Sequence, residues 1–241
     1  MDEESDALAP GAASKSLLKD GATGKSLLQV SVAGKLPLQD LVERISACRY
    51  CQEQGWIAEA RPVFQLHAEA RIGIFSQAPG NRAHKAGIPF LDPSGDRLRQ
   101  WLAVSHEEFY DPALFAIVPM GFCFPGHDKH GGDLPPLKVC AEKWRQSLME
   151  VLMNQLDLIL LVGSYSHHWH LPESRRKPLT ATVAQWREVM AASEKAGLAV
   201  LVPLPHPSWR NNGWLRMNPW FEAELLPVVR QRVRDLISQH R

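Results

Sequence analysis

The chain has 241 residues, 45% of them hydrophobic and 22% charged, and its 27 Lys and Arg nearly balance 26 Asp and Glu, leaving a formal charge of +1. These proportions exclude wholesale disorder and a histone-like polycation, and the length provides a core that needs no disulfide staples. They leave room for a nucleic-acid binder with local basic patches. No apolar run approaches the roughly 20 residues of a membrane helix; the longest, 156–163, is strand length. The acidic start, Met1-Asp2-Glu3-Glu4, lacks the basic-then-apolar order of a signal peptide. The expectation is a soluble cytoplasmic protein whose four cysteines stay out of disulfides. No long heptad calls for an oligomer, so a monomer is expected.

Residues 1–35 are rich in Ala, Gly, Ser and Lys and contain no aromatic residue. They read as a flexible low-complexity tail ahead of one domain over 36–241. A ten-residue repeat (Gly11 to Leu18 against Gly21 to Leu28) is too short for a solenoid. Gly24-Lys25-Ser26 fails as a phosphate loop because Lys19 stands where the first glycine is required. Leu38, Leu41, Val42 and Ile45 then give a helix running into Cys48. Arg71 to Ser76 reads as a buried strand, and Leu98, Trp101 and Leu102 mark a helix with Ser94 or Asp96 available as its cap. Leu114 to Pro119 is a second strand, and Trp144, Leu148, Val151 and Leu152 form a helical stripe. Leu158 to Val162 is a third strand. Val183, Trp186 and Met190 mark one helix with Gly197 just past its end. Leu198 to Val202 is a fourth strand, and Leu225 to Leu236 a last helix.

Continuous apolar strands separated by helices predict an α/β fold. It has three layers, α/β/α, around a central four-stranded, mostly parallel sheet. Ligands of such sheets sit outside the carboxyl ends of the strands, so the loops after each strand carry the functional weight. After the first strand, Pro79-Gly80 forces a turn that exposes backbone amides beside Gln77 and Asn81. After the fourth, Pro205 and Pro207 hold His206 rigidly, where an imidazole can stabilise an anionic leaving group. Trp209 and Arg210 follow, an aromatic and a cation suited to a nucleic-acid groove. Cys48 and Cys51 form a C-x2-C pair, with 71 residues between Cys51 and Cys123 and 16 between Cys123 and Cys140. Four thiolates suit a [4Fe–4S] cluster and equally a structural Zn²⁺.

Gln-Ala-Pro-Gly, then Gly-Ile-Pro-Phe seven residues after Gly80, then Leu-Pro-His-Pro-Ser, resembles the uracil-DNA glycosylase superfamily. With the cysteines, the pattern is most similar to its four-cysteine iron–sulfur branch of bacteria and archaea. The resemblance covers about residues 45–238. It implies a base-excision repair enzyme that flips uracil or another damaged base out of DNA and hydrolyses its N-glycosidic bond. Phe90 would stack on the base, with Ala78, Gly80 and Asp92 around it, and His206 would stabilise the departing base anion. Gln77 and Asn81 occupy the water-orienting positions. Ser208, Trp209, Arg210 and Asn211 would enter the groove. Cys48, Cys51, Cys123 and Cys140 would hold a structural [4Fe–4S] cluster, with zinc as the alternative.

The sequence also departs from that branch. Gln77 and Asn81 replace an acidic residue, and an amide orients a water but cannot take its proton. Pro119 stands where the branch has the asparagine that reads the uracil edge. A non-catalytic or substrate-shifted binder of damaged or single-stranded DNA is therefore the alternative. Other features read more plainly. Asp92 either caps the next helix or holds a pocket water, His167, His168 and His170 belong to a helix start, and Gly131 to Pro136 shapes the surround of Cys140. Arg230, Arg232 and Arg234 form a solvated helical face.

Overall fold

The computed structural model describes residues 38–240, so the tail read over 1–35 lies outside the described residues. Four apolar segments form strands: β1 Ile72–Phe75, β2 Phe115–Ile117, β3 Leu158–Val162 and β4 Val200–Leu204. All pair in parallel, in the order β2-β1-β3-β4. Ile72 lies level with both Phe115 and Leu158, and Leu158 with Val200. Parallel neighbours cannot be joined by a tight hairpin, so helices carry every crossover. Helices α1 (Leu38–Ser46) and α2 (Tyr50–Glu53) precede β1. Between β1 and β2 run α3 (Asn81–Ala86), α4 (Pro93–Leu102) and α5 (His106–Tyr110). Helix α6 (Lys138–Leu152) joins β2 to β3, and α7 (Ser164–His170), α8 (Leu179–Ala184) and α9 (Trp186–Lys195) join β3 to β4. Helices α10 (Asn212–Met217) and α11 (Leu226–His240) close the chain.

Side chains alternate across the sheet with period two, and both faces are dry. Ile72, Ile74, Phe115, Ile117, Leu158, Leu160, Val200 and Val202 face a core completed by α4, α5, α8, α9 and α11. Phe75, Ala116, Ile159 and Leu161 face a second core built from Leu41 and Ile45 of α1 and Trp144, Leu148 and Leu152 of α6. This double burial is why the strands carry unbroken apolar runs. Among the described residues, no helix is long and apolar enough to cross a membrane.

Several expected boundaries shift. β1 and β2 are shorter than their apolar runs, β2 keeping only Phe115–Ile117, while β3 keeps the expected bounds and β4 starts two residues later than read, at Val200. The helix read through Val183, Trp186 and Met190 is two helices, with Gln185 ending one and starting the next. Helix α11 is entered through a wide π turn, Phe221–Leu225. Pro227, which has no N–H to donate, sits just past that turn. The cap of α4 is neither Ser94 nor Asp96. Asp92 caps it, its Oδ1 accepting from the backbone N–H of Ser94 at 2.8 Å and Gly95 at 3.0 Å, with Pro93 at the first helical position.

Candidate active site

The carboxyl ends of β1, β3 and β4 open into one cavity of about 670 Å³. Gln77, Ala78, Gly80, Phe90, Asp92, His206, Ser208, Trp209, Arg210 and Asn211 all line it. The β1 and β2 ends are pinned beyond the strands, Met120 N–H donating to the Ser76 carbonyl and Gly121 N–H to the Gln77 carbonyl, both at 2.9 Å. The backbone of the Gln77 turn is thus part of the ladder.

Gly163, the residue after β3, brings the two chemical loops together. A Cβ placed on it would lie 2.7 Å from the Gln77 amide nitrogen and 3.4 Å from the His206 Cβ. Its φ of +87° is also one that L side chains rarely adopt. Only glycine lets the Gln77 amide and His206 close over the end of β3.

His206 is part-buried, and that burial drives its pKa down to about 4, opposed by the charge of Asp92 and aided by that of Arg210. At neutral pH it is an uncharged imidazole, able to donate one N–H. The loop that carries it is cross-braced: the Asn211 side-chain amide donates to the His206 carbonyl at 2.7 Å, and Arg97 Nη1 donates to the Ser208 carbonyl at 3.0 Å. Asn211 thus has an internal bond to hold the loop. Trp209 stands 73% exposed at the tip, with the Arg210 guanidinium 5.9 Å from its ring centroid.

Phe90 is buried at the cavity wall with φ +57°, edge-on to Phe109 with ring centroids 6.2 Å apart. Asn81 is the expected residue that does not reach this cavity. It begins α3 and lines an adjoining outer groove with Arg82, Arg97 and Trp209. Pro119 does line the cavity, along with Ile117 and Tyr165.

Asp133, which the sequence reading passed over as part of a loop near Cys140, also lines the cavity. Its Oδ2 lies 3.1 Å from where a Cβ on Gly80 would sit, and the Asp92 Oδ2 lies 3.8 Å from the same point. Asp133 Oδ1 pairs with His127 Nδ1 at 3.3 Å. Burial raises the Asp133 pKa, and the charges of Asp92 and Asp128 add to that, opposed by His127 and Arg210. The signal available in the sequence was an acidic residue in the loop that follows β2.

The four cysteines are free thiols that line one small cavity at the corner between α1, α2, the Phe122–Cys123 segment and α6. Among the described residues, no group of three or more His, Cys, Asp or Glu is arranged to hold a metal ion, and this includes the histidines of α7. His167 of α7 instead bonds the Leu161 carbonyl at 2.9 Å. Burial pushes Cys140 up to about 12 and Cys123 to about 11, with the neighbouring cysteines adding to both. Phe122 N–H donates to Cys140 Sγ at 3.4 Å. Four thiols around one cavity, with a backbone N–H donating to one sulfur, are the donors that a four-thiolate group would use, although here burial favours the protonated form of Cys123 and Cys140.

A profile of the Uracil DNA glycosylase superfamily matches residues 64–230, a span that takes in all four strands and the loops that form the cavity. The chain belongs to that superfamily.

Proposed function

We propose that this protein excises a damaged base, uracil or a relative of it, from DNA by hydrolysing the N-glycosidic bond after the nucleotide has been flipped out of the stack. The observation that carries this reading is the convergence of His206, Gln77 and Phe90 on one cavity beside the exposed Trp209. Trp209 and Arg210 enter the groove and fill the space that the flipped nucleotide leaves. Phe90 packs against the base. The neutral His206 imidazole donates to a base carbonyl as negative charge gathers there, and the buried site strengthens that bond. The Gln77 amide orients the base or the water. Cys48, Cys51, Cys123 and Cys140 hold a [4Fe–4S] cluster, or else Zn²⁺, that ties the N-terminal helices to the second strand-end loop. The cluster's part is structural.

The test is an anaerobic purification with metal analysis, and from the same sample a base-release assay. The substrates are oligonucleotides carrying uracil, hypoxanthine, xanthine or a thymine mispair. About four iron atoms per chain and an alkali-labile abasic site on at least one substrate are expected. Tight binding to an abasic-site analogue with no base release from any substrate would mean a non-catalytic binder, the reading that Gln77, Asn81 and Pro119 favour. One zinc per chain would replace the cluster by Zn²⁺.

A further inference from the structure

We propose that Asp133 is a catalytic residue, the carboxylate that takes the proton from the attacking water. This inference rests on the glycosylase reading and assigns a role that Gln77 and Asn81 cannot fill. Hydrolysis needs a proton acceptor at the water, and an amide accepts a hydrogen bond without taking the proton. Asn81 also lines the outer groove rather than the cavity. The carboxylates on the cavity wall are Asp92 and Asp133.

The two are held differently. Asp92 Oδ1 is committed to the Ser94 and Gly95 amides, which tie it to the end of α4. Asp133 uses Oδ1 on His127 and turns Oδ2 toward the bare Cα of Gly80. A side chain on Gly80 would meet that oxygen, so the glycine keeps the space before it open. The segment bearing Asp133 is a closed turn. Asp128 N–H donates to the Gly132 carbonyl at 2.7 Å and Leu134 N–H to the Gly126 carbonyl at 2.9 Å. His127 and Asp133 face each other across a β-bridge. Asp128 Oδ1 accepts from His130 N–H and Gly132 N–H. Pro136 then packs against Gly121, whose Cβ position lies 3.1 Å from the proline Cβ.

The charged and titratable groups around Asp133 are His127 and Arg210, which favour its ionised form, and Asp92 and Asp128, which oppose it. The Asp133 side chain is about half exposed, and its partial burial together with those two carboxylates raises its affinity for a proton, the direction a general base needs. In the step itself the water oxygen bonds to the anomeric carbon as the carbon–nitrogen bond breaks. The base leaves with the bonding pair as an anion, hydrogen-bonded to His206, and later takes a proton from solvent. The water's proton goes to Asp133 Oδ2.

The experiment is single-turnover base release by Asp133→Asn and Asp133→Ala, on whichever oligonucleotide the wild-type protein cuts. Affinity for an abasic-site analogue and thermal melting are measured in parallel. Asp133→Asn is expected to lose about 100-fold or more in rate, to keep analogue affinity within about twofold, and to flatten the acid limb of the pH–rate profile. Formate, a small carboxylate, is expected to restore part of the rate of Asp133→Ala, a result that no purely structural role produces. A rate for Asp133→Asn within about threefold of wild type overturns the inference, as does a slow Asp133→Ala that formate does not help. A wild-type protein that releases no base from any substrate overturns the glycosylase reading, and this inference with it.

Discussion

His206 works as an uncharged donor, and that sets how its loss should read. With its pKa pushed down to about 4 by burial, the ring does not change charge across the neutral range. A neutral N–H gains most from an acceptor whose negative charge is growing, and gains little from the intact base in the ground state. His206→Ala is therefore expected to lower kcat by about 100-fold to 1,000-fold while leaving KM within a few-fold. Steady-state kinetics on the cleavable oligonucleotide measures both. An equal loss in affinity with kcat unchanged would make His206 a binding residue and remove it from the chemical step. Because His206 titrates near 4, an acid limb seen between pH 5 and 7 belongs to another group. Burial raises the Asp133 pKa, and comparing the profiles of wild type and Asp133→Asn tests whether that limb is its own.

At the scale of the element, the turn from Phe90 into α4 shows how a short sequence fixes a wall of the site. Asp92 caps the helix, Pro93 starts it, and Gly95 lets it lie directly on the Phe90 carbonyl. A Cβ on Gly95 would stand 1.8 Å from that oxygen, with Phe90 already in the left-handed region. Gly95→Ala cannot be accommodated without moving Phe90, and it is expected to cost about 2–4 kcal/mol by the usual scale of overpacking and backbone strain. Urea melts measure the stability, and a loss of base release larger than the change in folded fraction marks the displaced ring. A variant as stable and as active as wild type would show that the contact is not held in solution. This turn was partly legible in the sequence: Gly-Ile-Pro-Phe and Asp92 as a helix cap were visible, whereas the need for Gly95 comes from a through-space contact. The same distinction holds elsewhere. The four strands were legible because burial on both faces leaves a continuous apolar run, and Gln77 and His206 because both follow such runs directly. The break at Gln185 was not, since the apolar period carries on through it. Asp133 was not, because it reaches Gly80 only once the 126–134 turn has closed on itself. The four cysteines were readable as a set from their spacing, and the fold places all four on one small cavity.

For the whole molecule, burying imidazoles couples stability to pH. Burial holds His167 and His206 near 4 and His170 well below its ordinary value of 6.5. In the unfolded chain these rings return to the ordinary value, so between pH 4 and 6.5 the unfolded state binds more protons than the folded one. Stability then rises with pH through that window and is lost as pH falls. From pH 7 to 5.5, above the range where ordinary carboxylates titrate, the fully buried His167 accounts for about 1 kcal/mol, and the part-buried His206 and His170 add to it in the same direction. Urea midpoints at pH 7, 6.5, 6 and 5.5 measure the slope, with calorimetry in buffers of different ionisation enthalpy to count protons. Uptake of about two to three protons on unfolding at pH 5.5 is expected. His167→Gln is expected to remove about one of them, since that ring is buried behind β3 and bonded to the Leu161 carbonyl. Its loss should flatten the pH dependence even where it lowers stability at pH 7. A flat midpoint from pH 7 to 5.5, or no proton uptake on unfolding, would mean that these rings reach water in the folded protein. His206 would then be charged in mildly acidic solution, and its role as a neutral donor would hold only near and above neutrality.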